Sequence, residues 1–311
     1  MATDLLPPDH AVRMRRTWIS LDGLSIGDAF CAQFFRANVY ERYFATRTAP
    51  PGPWSYTDDT EMGIGLVEVL VRHGRVDQED LAQTLAERFV ADIYRGYGPA
   101  THDILQGIHD GTAWRTLSYS VFKGTGSLGN GAATRVAPLG AYFADDLPRL
   151  QVEADRSAEV THAHAEGRAG AVAVAVAAAL AVQWRGDSRP EPGRLLRGVL
   201  DWTPAGATRD GLTLAASLAP TLSIERAARA LGNGSKLTSP DTVPLALWLA
   251  DRFLHDLAGA LWAVIEAGGD IDTLGAIVGG VVSLFAPRSI PQAWLAAREP
   301  LGLEDGGADS P

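Results

Sequence analysis

Thr57-Asp58-Asp59-Thr60 places two carboxylates side by side between two hydroxyls, entered from Trp54-Ser55-Tyr56 and followed by Glu61-Met62. Adjacent like charges repel, and Asp competes with the helix backbone for hydrogen bonds, so the stretch needs a compensating partner. The nearest cations along the chain, Arg47 and Arg72, stand well away from it in sequence. A hard divalent cation suits carboxylate and hydroxyl oxygens: Mg²⁺, Mn²⁺ or Ca²⁺. The plain alternative is a helix N-cap at Asp59 or Thr60, opening an apolar helix from Met62. A second stretch, Gly268-Gly269-Asp270-Ile271-Asp272-Thr273, repeats the same oxygen chemistry ahead of the apolar segment Leu274–Phe285. One shared site for two metal ions explains both stretches more economically than two independent caps.

Other residues invite a chemical reading. Lys123-Gly124-Thr125-Gly126-Ser127-Leu128-Gly129-Asn130-Gly131 precedes the apolar run Ala132–Tyr142. Its glycines and hydroxyls suit a nest of N–H groups at a helix start, where a phosphate binds. The spacing is neither that of the P-loop nor that of the dinucleotide fingerprint, and a flexible turn is the alternative. Arg135, one turn into the following helix, would add a cation near such an anion. Thr161-His162-Ala163-His164 has neither a Cys nor a third His nearby to make a zinc site, so one His is expected to hydrogen-bond in the core or line a pocket. Asp28, after Gly27 in an otherwise apolar face, reads as a helix cap or as an acid supporting a site. Asp103 lies between Arg95 and Gly111, a segment that would make a loop over a site; the alternative is a solvated surface acid.

These groups need a scaffold. The chain has 311 residues, 46% of them hydrophobic, with Ala, Leu and Val dominant and aromatics at 8%. Helical periodicity is widespread and strand-like alternation scarce, which predicts an all-α protein. Helices are predicted from Ala11 to about Arg36 (a pair, or one interrupted), Met62–His73, Gln78–Tyr94, Ala169–Trp184, from a cap at Asp241-Thr242-Val243-Pro244 to Phe253, His255–Glu266 and Leu274–Phe285. Thr46 to Trp54, with Pro50, Pro51 and Pro53, reads as a stiff loop leading to the Asp pair, and 186–220 as a peripheral helix–loop excursion. Ala169–Trp184 falls short of the ~20 residues of a typical membrane span, so a buried helix is expected. The net charge of −10 argues against nucleic acid or an anionic membrane as partner. The single cysteine, Cys31, excludes an internal disulfide and fits a cytoplasmic location. The expected organisation is a loose lead over 1–10, one domain over 11–302 and a disordered acidic tail over 303–311.

In order along the chain, Gly27-Asp28-Ala29, Thr57-Asp58-Asp59-Thr60, Gly126-Ser127-Leu128-Gly129-Asn130-Gly131, Thr161-His162 and Gly269-Asp270-Ile271-Asp272-Thr273 resemble the ADP-ribosylglycohydrolase family, over nearly the whole length. The resemblance implies a single compact all-α bundle with a central cleft holding two Mg²⁺, or Mn²⁺ in their place. It matches Thr57, Asp58, Asp59, Asp270, Asp272 and Thr273 to metal ligands, Gly126 to Gly131 to a diphosphate cradle, and His162 to the wall of the ligand pocket. The implied reaction is hydrolysis of the N- or O-glycosidic bond at C1 of the ribose, through an oxocarbenium-like transition state. An ADP-ribosylated protein or a small ribosylated molecule would be the substrate of a monomeric enzyme. Some positions depart from the family pattern: Phe35 where many members carry an acid, Cys31 in place of a glycine, Leu128 in place of an aromatic and Ile271 in place of Thr. With Phe35 unable to take a proton, the proton chemistry falls to a metal-activated water or to acids among Asp28, Asp58, Asp59, Asp103 and Asp272. A non-catalytic ADP-ribose-binding relative is the remaining alternative.

Overall fold

A single helix of 23 residues, His10–Ala32, carries Asp28 near its C-terminal end. The computed structural model describes residues 6–187 and 190–303, so half of the expected lead and nearly all of the acidic tail lie outside the described residues. The element order is α1 (His10–Ala32), α2 (Val39–Tyr43), α3 (Asp58–His73), α4 (Gln78–Ala91), α5 (Pro99–His109) and α6 (Trp114–Gly124). Then come α7 (Gly131–Thr134), α8 (Ala137–Tyr142), α9 (Leu147–Glu159), α10 (Ala165–Gln183), α11 (Arg194–Leu200) and α12 (Ala207–Ser217). The chain closes with α13 (Ile224–Leu231), α14 (Ser239–Arg252), α15 (Leu257–Ala267), α16 (Ile271–Phe285) and α17 (Gln292–Ala297). Among the described residues there is no strand, only the isolated bridges Trp54–Arg298 and Gly129–Thr238.

Glycine decides which two helices meet at the centre. A Cβ on Gly27 would lie 1.9 Å from the Gly275 carbonyl oxygen, and one on Gly279 would lie 2.1 Å from that of Gly23. Backbone therefore meets backbone along α1 and α16, and Ser20 Oγ adds a hydrogen bond to the Gly280 carbonyl at 2.8 Å. α1 therefore runs unbroken from His10 to Ala32, neither the helix pair nor the interrupted helix expected from the sequence, because its glycines serve the contact with α16 rather than a break. The Ala/Val helix α10 follows the same logic. Its small side chains are buried from Ala169 to Ala181, which lets α7, α8, α9, α11, α14 and α16 pack around it. At 19 residues it is long and apolar enough to cross a membrane, but 78% of its most apolar window is buried inside the protein. It is a core helix.

Several predicted boundaries move for identifiable reasons. The run Ala132–Tyr142 is two short helices rather than one, with Pro138 in the first turn of α8, where its missing N–H costs nothing. α4 stops at Ala91, because Asp92 turns to φ −153° and ψ 89°. α14 starts at Ser239 behind Thr238, so Asp241 is not its cap; Pro244 lies inside the helix, facing Gly211, which has no side chain to obstruct it.

Gly27→Ala is expected to cost about 3 kcal/mol of stability in urea unfolding, at the upper end of overpacking penalties, because backbone atoms cannot yield to a methyl group. Gly63→Ala in α3 is the control: its Cβ would meet Leu21 and Leu24 side chains at 3.5 Å, ordinary contact. It is expected to be neutral or to stabilise by up to about 1 kcal/mol through helix propensity.

Candidate functional site

The site is assembled from two helix starts and one buried acid. Thr57 is the N-cap of α3, its Oγ1 accepting from the Asp59 N–H at 3.4 Å, so the cap belongs to Thr57 rather than to Asp59 or Thr60. Asp28 reaches across from α1 and takes the neighbouring donors: Thr57 N–H at 2.9 Å, Thr60 N–H at 3.2 Å and Thr60 Oγ1 at 2.5 Å. It therefore holds the turn that carries the Asp pair. The Asp58 N–H donates to the Arg95 carbonyl at 2.9 Å. Upstream, the Trp54 indole N–H donates to the Pro50 carbonyl at 3.0 Å, and its ring packs edge-on to Phe30 and Trp294, which anchors the proline loop.

The second acid stretch opens α16, and the turn Gly232-Asn233-Gly234 supports it. The Asp270 N–H donates to the Asn233 carbonyl at 3.0 Å. Gly234 at φ +84° lies so close that a Cβ there would sit 2.5 Å from the Asp270 Cβ. Thr273 Oγ1 donates to Asp59 Oδ2 at 3.0 Å, which joins the two stretches directly. Asn130 Nδ2 donates to Asp270 Oδ2 at 2.8 Å and to Thr242 Oγ1 at 3.0 Å, which ties the glycine loop to the same cluster.

Asp28, Asp59 and Thr273 are buried, whereas Thr57, Asp58, Asp270 and Asp272 are half-buried at the opening. Burial raises all the carboxyl groups, and repulsion from neighbouring carboxylates raises all but Asp272 further. Burial, then the charge of Asp272, pushes Asp28 up to about 7 despite its hydrogen bonds from Thr60 and Thr57. The same two causes push Asp270 up to about 7. Burial, then neighbouring carboxylates, holds Asp58 and Asp59 well above the usual range, and burial raises Asp272. No cationic side chain is among the leading influences on any of them. The Arg95 guanidinium is committed elsewhere, to the Tyr56 carbonyl, Asp92 and Glu299.

An all-oxygen donor set with uncompensated negative charge fits one or more hard divalent cations. Among the described residues no three His, Cys, Asp or Glu side chains stand ready-grouped around an ion. The acids instead pair off, Asp270 with Asp272 and with Asn130, and Asp59 with Thr273. Holding a cation would thus require the half-buried Asp58, Asp270 and Asp272 side chains to turn toward it.

The loop Gly126 to Gly131 is fixed from α14: the Ser239 N–H donates to the Leu128 carbonyl and Ser239 Oγ to the Gly129 carbonyl, each at 3.0 Å. The His162 ring lies against it, so that a Cβ on Gly129 would fall 3.1 Å from Nε2 and one on Gly131 3.2 Å from Cε1. His162 is buried with Nδ1 2.7 Å from Thr161 Oγ1, and burial pushes its pKa down to about 3. His164 instead caps α10, accepting from the Glu166 N–H. Two expectations change here. The helix after the loop is the four-residue α7, too short to add an appreciable dipole. Arg135 does not face the loop as a cation; it is fully buried and bonded to Thr161 and to the Ser157 carbonyl.

Asp103 is not brought to the cluster: its side chain is 82% exposed beside His102. Phe35 is 58% exposed, Leu128 half-buried and Ile271 buried. An open cleft of about 900 Å³ adjoins Thr57, with Gln33, Arg36, Tyr56, Tyr94 and Arg95 in its wall. Sequence reading missed the bond from Thr60 to Asp28, the roles of Asn233 and Thr242, and the places of Gln33, Arg36 and Tyr94 in the cleft wall. Only the Gly232-Asn233-Gly234 turn carried a signal, and it was a signal of backbone shape.

Residues 9–307 match the family model described as ADP-ribosylglycohydrolase. An uncharacterized protein of Archaeoglobus fulgidus is 31% identical over 296 residues, 91% of this chain and 90% of its own. ADP-ribosylhydrolase ARH3 of Homo sapiens is 28% identical over 268 residues, 77% of this chain and 73% of its own. A solved structure described as an ADP-ribosylglycohydrolase-related protein complex covers 92% of this chain and 93% of its own with a TM-score of 0.58 and 24% identity, a likeness of fold.

The electrostatics set the response to pH and cations. Asp28 and Asp270 keep protons in the fold that the unfolded chain releases above about pH 4. The ion-free protein is therefore expected to lose stability as pH rises from about 4 through 7. In melting experiments, Mg²⁺ or Mn²⁺ should raise Tm more at pH 8 than at pH 5, because cation and proton compete for the same oxygens. Asp58→Asn should raise the ion-free Tm by about 2 °C or more by relieving repulsion, and abolish the cation-induced rise.

Proposed function

The chain belongs to the ADP-ribosylglycohydrolase family, and on that premise we propose that it is a divalent-cation-dependent hydrolase that cleaves the glycosidic bond at C1 of an ADP-ribosylated substrate and releases ADP-ribose. The observation that carries this reading is the Thr273–Asp59 hydrogen bond, which makes the two acid stretches one site, with Asn130 linking that site to the glycine loop.

In this reading Thr57, Asp58, Asp59, Asp270, Asp272 and Thr273 hold two Mg²⁺, or Mn²⁺. Bound there, the cations would supply Lewis-acid charge beside the ribose hydroxyls and the attacking water. The protein's own groups do the rest. Asp28 fixes the first turn of α3, so that Asp58 and Asp59 keep their places. The loop Gly126 to Gly131 and His162 receive the diphosphate. The cleft beyond Thr57 receives the modified group, with Tyr94 (90% exposed) and Arg36 at its edge. With Phe35 apolar and Asp103 on the solvent face, the proton leaving the attacking water goes to a half-buried carboxylate of the cluster, Asp58 or Asp272.

Phe35 also favours a second reading, hydrolysis of a small ADP-ribosyl or ribosyl metabolite, because the departure lies in sequence between Gln33 and Arg36, two residues of the wall of the cleft where the leaving group would lie. Incubation with ADP-ribosyl-arginine and ADP-ribosyl-serine peptides, and in parallel with small N-ribosides, separates the two. Release of ADP-ribose from a peptide in the presence of Mg²⁺ or Mn²⁺ is expected, with kcat/KM reduced about 10²–10⁴-fold in Asp272→Asn. No release from any of them at high enzyme concentration, with cation uptake demonstrated by calorimetry, would overturn the hydrolase assignment.

A further inference from the structure

Arg135 is costly where it stands. Its side chain is fully buried, no carboxylate among the described residues pairs with it, and burial alone pulls its pKa down to about 9. Its Nε and the nearby Ser157 Oγ have no hydrogen-bond partner. Buried charges without a counter-ion are ordinarily selected against, so this one calls for a reason. Its partners supply one. Nη2 donates to the Ser157 carbonyl at 2.6 Å, and Nη1 donates to Thr161 Oγ1 at 2.9 Å.

Thr161 Oγ1 is in turn 2.7 Å from His162 Nδ1. A guanidinium has only donors, so the Thr161 hydroxyl must accept from it and keeps its single proton to give away. Among the described residues these are the two side-chain hydrogen bonds of Thr161, which is itself fully buried. If His162 carried its proton on Nδ1, the hydroxyl proton would have nowhere to go. The arrangement is satisfied only when the hydroxyl donates to an unprotonated Nδ1. The ring is held neutral by burial and by the positive charge of Arg135, so its one proton then sits on Nε2. Nε2 has no protein partner among the described residues, and the side of the ring that carries it faces Gly129 and Gly131, where any side chain would press on it.

We infer that Arg135 and Thr161 are positioning residues, which lock His162 in the Nε2–H tautomer so that it presents a fixed hydrogen-bond donor to an anionic oxygen held by the loop Gly126 to Gly131. The identity of that anion as the diphosphate of ADP-ribose rests on the proposed function; the tautomer lock does not.

The test is long-range ¹H–¹⁵N correlation on the imidazole of His162 in the ligand-free protein, paired with calorimetric titration of ADP-ribose in the presence of Mg²⁺. The wild type is expected to show the Nε2–H tautomer. Thr161→Val, close to isosteric but without the hydroxyl, is expected to lose that preference and bind ADP-ribose about tenfold more weakly. Thr161→Ser should restore both, a rescue that a purely packing role for the threonine would not produce. Arg135→Met removes the charge and is compared by melting first, since it opens a buried site; Thr161→Val keeps the question decidable if that variant does not fold. An Nδ1–H tautomer in the wild type, or an unchanged tautomer in Thr161→Val, overturns the inference. The expected tautomers with no ADP-ribose binding in the wild type uphold the lock and overturn the ligand.

Discussion

Mutual repulsion among buried carboxylates is the constraint that the structure is arranged to withstand. Burial raises the proton affinity of Asp28, Asp58, Asp59, Asp270 and Asp272, the charge of neighbouring carboxylates raises the first four further, and no Lys or Arg is among the leading influences on them. Two helix starts supply part of the compensation. Asp58 and Asp59 lie in the first turn of α3 and Asp272 in the first turn of α16, where free N–H groups and the helix dipole favour negative charge. The close packing of α1 against α16 then sets the distances, because Asp28 takes its donors from α3 only if α1 passes within reach of that turn. A packing feature made of glycines thus fixes the electrostatics of an acid cluster.

The glycine loop is coupled to that cluster rather than simply placed near it. Asn130 bonds Asp270, and Ser239 holds the carbonyls of Leu128 and Gly129. A displacement of the loop would therefore reach the second acid stretch through one side chain. Behind the loop, the buried chain Arg135–Thr161–His162 spends a desolvated charge on orienting an imidazole. Both arrangements place polar groups in the interior at a cost, which is the pattern expected where a site must be preorganised rather than where stability is being maximised.

Much of this was legible before any coordinates. The two acid–hydroxyl stretches, the glycine loop and His162 could be picked out because each breaks the helical pattern around it with residue types that have few structural uses. The all-α class followed from apolar periodicity, and the core position of Ala165–Gln183 from its length and Ala/Val content. Other parts left no trace. Arg135 read as a cation near an anion site, because one-dimensional spacing does not show that its side chain turns inward behind α7. Asp103 read as a loop acid near a site, and is a solvent-facing residue of α5. Thr242 is an ordinary polar residue in sequence and Asn233 marks only a turn, and both acquire significance from the partners that distant segments bring to them.

The division follows from the range of the forces involved. Sequence by itself determined what is local: which segments are helical, which oxygens are available as ligands, and where glycine permits backbone to approach backbone. Tertiary structure alone decided which acids share one field, since Asp59 and Thr273 are separated by most of the chain and meet because α3 and α16 both pack on α1 and on each other. It also decided the direction of every buried donor. Proton affinities and tautomers depend on neighbours within a few ångströms, and the order of residues along a chain does not specify those neighbours until the chain has folded.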